Sequence, residues 1–277
     1  MNPGFLSPSQ LAPLLLSATE GGDRAAVFVV VSHPDPKQLG GRVLFYGGET
    51  RGSFQDPGAS ARATRLAKRA ISGDLSVLPG LHTLPLEGSG EIVVYLELHH
   101  PSPEMVIVGA GHVAQPMCTL GALLGLRVRV LDDRPGFATR ERFPEAHHLH
   151  NVDFSDPFAG VPLHPWSHLV LVTRGHRYDY ECLRKVLMRS PLPGYIGMIS
   201  SRRRARATLD ALRQEEIAPE LLLKVHTPIG LDIGAQTPAE IAVSVAAEIV
   251  HLWRGGSCRP LQQAGGVLER TSGQEDP

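Results

Sequence analysis

Three small residues in one short stretch, Gly109, Gly111 and Ala114, stand at the spacing G-x-G-x-x-A. Each has its own task where a chain passes from a strand into a helix beside a phosphate. Gly109 permits the tight turn, Gly111 lets the backbone approach a pyrophosphate with no Cβ between, and Ala114 lets helix and strand pack closely. The free N–H groups at the start of the helix then face the phosphate oxygens. His112 sits between the second glycine and the helix, either with its ring in reach of a phosphate or as a surface imidazole on a turn. Asp132 follows at the spacing of about twenty residues where such fingerprints carry an acid for the ribose hydroxyls. Arg134, just after it, leaves NAD and NADP equally open.

Further polar residues stand at the ends of other predicted strands. Thr173-Arg174-Gly175-His176 ends a strongly apolar run, the place where open α/β sheets bind ligands. His176 is the candidate catalytic residue, as proton carrier or oxyanion donor, against the alternative of a histidine packing beside the next helix. Ser201, Arg202 and Arg203 open a helix with a hydroxyl, free N–H groups and guanidinium forks, which suits a phosphate or carboxylate. Asp232 lies in a glycine-rich loop, where it either orients a ligand or forms an Asx-turn. His147, His148 and His150 have no acid or cysteine at metal spacing, so no metal site is expected.

The elements that must position these residues alternate. From Met105 onward the pattern is strand, helix, strand: 105–108, a helix through Leu120 to Gly125, 127–131, a weak strand 147–152, 167–173, a helix 178–189, 195–199, a helix 201–216 and a short strand 222–225. The last helix opens on Thr237, with Pro238 at its first position and Glu240 closing a capping box, and carries Ile241, Val245, Ile249 and Leu252 as an apolar stripe. Such alternation implies a parallel sheet covered on both faces. Pro116, just inside the first helix of this half, is expected to kink it or to adjust its packing. Before Met105 the chain reads as a helix over 11–18, strands over 25–31, 42–46 and 50–54, a helix over 59–72, and paired strands over 81–86 and 91–98 around Gly88-Ser89-Gly90. His99 to Pro103 reads as a linker. The fold class is therefore α/β, a Rossmann-type doubly wound parallel sheet preceded by a small α+β domain. Its domains are expected at 1–100 and 101–256, with a disordered tail over 257–277.

Length and composition narrow the function. The 277 residues suit two domains, and a net charge of −1 with 5% aromatic residues offers nothing to nucleic acid or an anionic membrane. Cys118, Cys182 and Cys258 are far apart and fit neither a disulfide framework nor a zinc site. With no signal peptide or membrane-length apolar span, a cytoplasmic setting is expected.

The second half resembles the XdhC/CoxI family of accessory factors, which mature xanthine dehydrogenase and related molybdenum hydroxylases. The residues that carry the resemblance are Val108-Gly109-Ala110-Gly111-His112-Val113, Asp132-Asp133-Arg134-Pro135 with Phe137-Ala138-Thr139-Arg140-Glu141-Arg142-Phe143-Pro144, Thr173-Arg174-Gly175-His176, Tyr195-Ile196-Gly197-Met198-Ile199, Ser201-Arg202-Arg203, Pro228-Ile229-Gly230-Leu231-Asp232-Ile233-Gly234 and Thr237-Pro238 with Glu240-Ile241-Ala242-Val243-Ser244. Together they cover most of 105–249. The resemblance implies binding of the molybdenum cofactor (a molybdopterin) as cargo, its protection during sulfuration, and its delivery to the apo-hydroxylase. A hydroxylase and a cysteine desulfurase are the implied partners, and a homodimer is allowed for. The first half matches through Gly40-Gly41-Arg42-Val43-Leu44 and Gly52-Ser53-Phe54. Where the family carries a cysteine after that strand, this chain has Gln55-Asp56-Pro57-Gly58, which leaves the first domain without the soft sulfur ligand a molybdenum centre favours. The residues themselves leave two rivals open: an NAD(P)-dependent oxidoreductase and a nucleotide-sensing regulator.

Overall fold

The structure, a computed structural model, describes residues 4–88, 90–215 and 217–264. The chain forms two compact units, Met1–Ser102 and Pro103–Pro277.

In the first unit, α1 (Pro8–Glu20) starts at a capping box in which Ser7 and Gln10 satisfy each other's backbone N–H groups. An antiparallel sheet follows, built of β1 (Ala25–Ser32), β2 (Arg42–Tyr46), β3 (Glu49–Arg51), β4 (Gly80–Pro85) and β5 (Glu91–His99) in the order β3-β2-β1-β5-β4. Alternate residues of β1 serve its two faces. Ala26, Phe28 and Val30 pack with Ala59, Ala63, Ala67 and Ala70 of α2 (Pro57–Ser72), whose small side chains let that helix lie close. Ala25 and Val27 pack with Ala18 of α1. The third strand, expected over 50–54, is the three-residue β3, and Gly52, at φ +80°, turns the chain out of it. The helix expected from Ala59 begins at Pro57, because Asp56 caps it through a 2.7 Å bond from the Ala59 N–H. Of the expected Gly88-Ser89-Gly90 turn, Ser89 lies outside the described residues.

The second unit holds six parallel strands: β6 (Glu104–Val108), β7 (Arg127–Asp132), β8 (His148–Asn151), β9 (Ser167–Leu171), β10 (Tyr195–Met198) and β11 (Val225–His226). Their order is β11-β10-β9-β6-β7-β8. Every residue of β6 is buried, as a strand covered on both faces must be. Met105 and Ile107 face a core shared with α3 (Ala114–Leu123) and α7 (Pro238–Arg254). Val106 and Val108 face the opposite core, with α4 (His176–Leu187) and α5 (Arg202–Gln214). Each fully buried aliphatic side chain in these layers contributes about 1.5–3 kcal/mol. At the amino ends of the strands a buried carboxylate ties three of them together. Glu104 of β6 accepts from Arg129 Nε at 2.8 Å and from Ser167 Oγ at 2.7 Å, and His164 Nε2 lies 3.2 Å away.

Three expectations for this unit change. Pro116 causes no kink: α3 begins at Ala114, so the proline lies in the first turn, where its missing N–H has no intrahelical partner to lose. The strand expected over 222–225 is the short α6 (Pro219–Leu222) followed by the two-residue β11. The stripe of α7 turns through Ala242, Val245, Ala246 and Ile249, leaving Leu252 exposed. Of the tail expected to be disordered, a single turn, α8 (Leu261–Ala264), is described, and 265–277 lie outside the described residues, as does Glu216 at the end of the helix expected over 201–216. Among the described residues no helix is long and apolar enough to cross a membrane.

Candidate functional site

The strand order reverses between β6 and β9. These two strands are neighbours, yet the helices that follow them go to opposite faces, which opens a crevice beyond their carboxyl ends. A cavity of about 710 Å³ lies there, lined by residues that follow β6, β7, β9 and β10, among them Gly111, His112, Arg134, Phe137, Arg142 and Arg174.

The two glycines of the fingerprint differ in what they answer to. Gly109 has φ +104°, and a Cβ on it would stand 2.6 Å from the Val172 carbonyl oxygen. The fold itself requires that glycine. Gly111 has ordinary backbone geometry, and a Cβ on it would meet nothing within 4 Å. Among the described residues nothing fills the space that this glycine leaves in the cavity wall. Ala114, fully buried, lets α3 pack on the sheet, and the helix has no side-chain cap at Val113.

Asp132 departs from its expected role. It is 1% exposed, and both its oxygens are engaged: Oδ2 accepts from the Ala110 N–H at 2.6 Å and from Arg134 at 2.9 Å, and Oδ1 accepts from the Arg134 backbone N–H and Nε, each at 2.9 Å. Burial works against its charge, but the Arg134 and backbone hydrogen bonds outweigh that and hold its pKa at about 2. Asp132 therefore braces the glycine loop and carries no free oxygen for a ribose. Arg134, anchored this way, lies 3.4 Å from the Phe137 ring centroid, and Arg142 lies 4.8 Å from the same ring. An aromatic ring with two guanidinium planes beside it suits a flat, anionic ligand. Arg174 is held by Asp133 through two bonds, of 2.5 and 2.8 Å, and by the Tyr178 hydroxyl at 2.7 Å. His112 is exposed at the cavity mouth.

Below the Thr173 loop lies a residue that the sequence does not single out. Asp179 is buried and accepts the Thr173 hydroxyl at 2.7 Å. Burial raises its pKa to about 6 despite that bond and the nearby charge of Arg204. Phe137 and Arg142 escape sequence reasoning as site residues, and Arg134 enters it only beside the nucleotide question. All three lie in a segment with neither helical nor strand periodicity; the family resemblance runs through it, but marks no one side chain there as a ligand contact.

The remaining sequence candidates go elsewhere. His176 and Arg203 line a different cavity, between α4 and α5. Ser201 is the N-cap of α5, accepting from the Arg204 N–H at 3.4 Å. Arg202 is exposed in the first turn of that helix, and Asp232 is exposed in its loop. Neither lines the switch-point cavity. His148 and His150 share a face with ring centroids 6.1 Å apart, and among the described residues no group of three or more His, Cys, Asp or Glu side chains is arranged to hold a metal. Cys118 and Cys182 are buried, and burial pushes both thiols up, Cys118 to about 11. In the first unit, Asp56, within the stretch that replaces the family's cysteine, accepts from the Ala59 and Glu87 N–H groups at 2.7 Å each. That side chain holds a helix start.

Residues 105–249 match the family model described as the XdhC Rossmann domain. Among curated proteins, an uncharacterized protein, YqeB, of Escherichia coli strain K12 is 34% identical over 164 residues, 59% of this chain and 30% of that one. A probable xanthine dehydrogenase subunit of Bacillus subtilis strain 168 is 29% identical over 158 residues, 57% of this chain and 45% of the relative. The matched stretch thus spans less than half the length of either relative. A solved structure described as a xanthine dehydrogenase from Bacillus halodurans superposes with a TM-score of 0.50 and 18% identity, covering 91% of this chain and 98% of the other. At that identity the likeness speaks to fold alone.

Proposed function

The chain belongs to the XdhC family, and from that premise we propose that it is an accessory factor in the maturation of a xanthine dehydrogenase or related molybdenum hydroxylase. Its cargo in this reading is the molybdenum cofactor, held by its phosphorylated pterin in the switch-point crevice. The observation that carries the proposal is Gly111, a glycine that the fold does not require, facing a cavity of about 710 Å³. The residues around it fit the two halves of such a ligand. The Gly109–Val113 backbone and the uncapped start of α3 suit the phosphate, while Phe137 with Arg134 and Arg142 suits a flat, polar ring system. His112, exposed at the mouth, is within the same lining for a further hydrogen bond to the phosphate.

The cysteines bear on how sulfur would reach such a cargo. Among the described residues no cysteine lines the crevice, and Cys118 and Cys182 are buried with raised pKa values. Sulfur installation then falls to a separate donor, such as a cysteine desulfurase, and this protein's part is to bind, shield and hand over. The oxidoreductase alternative is weakened by Asp132, because the carboxylate that would take the ribose diol already has its oxygens filled.

The proposal is tested by releasing and weighing what the protein carries. Purified from cells that make the cofactor, the parent should yield molybdopterin or its degradation products on mass spectrometry, and Gly111→Val should yield none while staying folded. Stoichiometric NAD(P) in place of a pterin would overturn it.

A further inference from the structure

Between α4 and α5 lies a cavity of about 720 Å³ that shares no lining residue with the switch-point crevice. Its wall has two kinds of surface. His176, Arg177, Arg203 and Arg204 project from the first turns of the two helices, and Tyr180, Ala207, Thr208 and Ala211 continue along them. The three arginines are exposed and make no ion pair or hydrogen bond with another described side chain. Arg204 and His176 do feel the charge of Asp179, but that carboxyl is buried below the loop and bonded to Thr173.

The arrangement runs against local stability. The first turn of a helix carries the positive end of its dipole, where cations are unfavourable. Arg202, Arg203 and Arg204 are the first three residues of α5, with no acid in that turn; Arg177 is the second residue of α4, whose first turn also holds the buried Asp179. Local rules broken without a structural return mark functional positions. Thr208 adds an independent sign. It is 7% exposed and lines the cavity, yet among the described residues its hydroxyl has no hydrogen-bond partner. A mostly buried side chain whose unpartnered hydroxyl opens onto a cavity with a basic mouth suits a ligand atom.

We propose that this cavity is a second ligand site that takes a small organic phosphate, with its anionic head against Arg177, Arg203 and Arg204 and its apolar body against Ala207, Ala211 and the Thr208 methyl. Guanidinium forks match phosphate oxygens in geometry and charge. The volume fits a ligand of ordinary metabolite size. The site stands whether or not the switch-point crevice holds a pterin, because it uses other residues.

Phenyl phosphate and inorganic phosphate serve as probes, titrated calorimetrically into the parent, the double variant Arg203→Gln/Arg204→Gln, Thr208→Val and Gly111→Val, with melting temperatures recorded alongside. Phenyl phosphate is expected to bind the parent at least about tenfold tighter than inorganic phosphate, because only it covers the apolar floor. The double variant should lose about tenfold or more in affinity and melt, ligand-free, at or above the parent temperature. Thr208→Val should bind several-fold more weakly, and Gly111→Val, which alters only the crevice, should keep the binding event that the Arg203→Gln/Arg204→Gln variant loses. Absence of phenyl phosphate binding to the parent, equal affinity in parent and double variant, loss confined to Gly111→Val, or a ligand-free double variant that melts well below the parent would each overturn the assignment.

Discussion

Gly109 and Gly111 look alike in the sequence, but only one of them is needed by the fold. Gly109→Ala forces a Cβ against the Val172 carbonyl in a left-handed conformation, and should cost about 1–3 kcal/mol of stability. Gly111→Ala meets open space and should leave the denaturant midpoint within about 0.5 kcal/mol of the parent while weakening ligand binding. Chemical denaturation of the two variants side by side checks the contrast, and equal losses would remove the case for a ligand at Gly111. The motif spacing finds both glycines but cannot separate them, since the difference lies in the neighbouring strand. Asp132 is legible as an acid at a strand end. That Arg134 and the Ala110 N–H fill it depends on how the next two residues fold back, which spacing does not encode. Asp179 gives a second test at this scale. Its pKa is raised to about 6 from 3.8, so the folded state holds the proton more tightly than the unfolded one. The sign is that its charge costs nothing below about pH 4 and weighs fully against folding above about pH 6. Asp179→Asn, which keeps a carbonyl oxygen for Thr173, should therefore raise the melting temperature at pH 7–8 and leave it unchanged near pH 4. No gain at pH 8 would show that the carboxylate is better solvated than its burial implies.

Secondary elements are the most readable level. Continuous apolar runs mark the central strands β6 (Met105 to Val108) and β9 (Leu169 to Leu171), because strands covered on both faces need continuous apolar sequence. The start of α7 is legible to the residue: the Thr237 hydroxyl accepts from the Glu240 N–H at 3.3 Å and Glu240 accepts from the Thr237 N–H at 2.9 Å. Thr237→Ala should cost about 1 kcal/mol in equilibrium unfolding, and a loss near zero would mean the box is satisfied by water instead. Edges are less readable. β11 has two residues and a short helix before it, and so little sequence shows no period. The apolar spacing of α7 runs one turn past its packed face: Leu252 continues the pattern but faces solvent.

At the scale of the whole molecule, two buried carboxylates set the acid limit. Glu104 and Asp132 each titrate at about 2 against ordinary values of 4.5 and 3.8. For depressed acids the stabilisation is present above the unfolded value and is lost as pH falls towards the folded one. Together they are worth roughly 6 kcal/mol, so the second unit should lose stability steeply as pH falls from about 4 to about 2, and Glu104→Gln should shift the acid unfolding midpoint in circular dichroism. Glu104 sits at the amino ends of the strands and the crevice at their carboxyl ends, so stability and ligand binding draw on opposite edges of one sheet. That separation allows the central claim to be tested without unfolding the protein. The direct measurement is the activity per bound molybdenum of a co-expressed xanthine dehydrogenase-type hydroxylase, in cells with the parent protein, with Gly111→Val, or with neither. The account predicts high activity with the parent and the low activity of the empty strain with folded Gly111→Val. Full activity with Gly111→Val, or no difference between the parent and the empty strain, would contradict it.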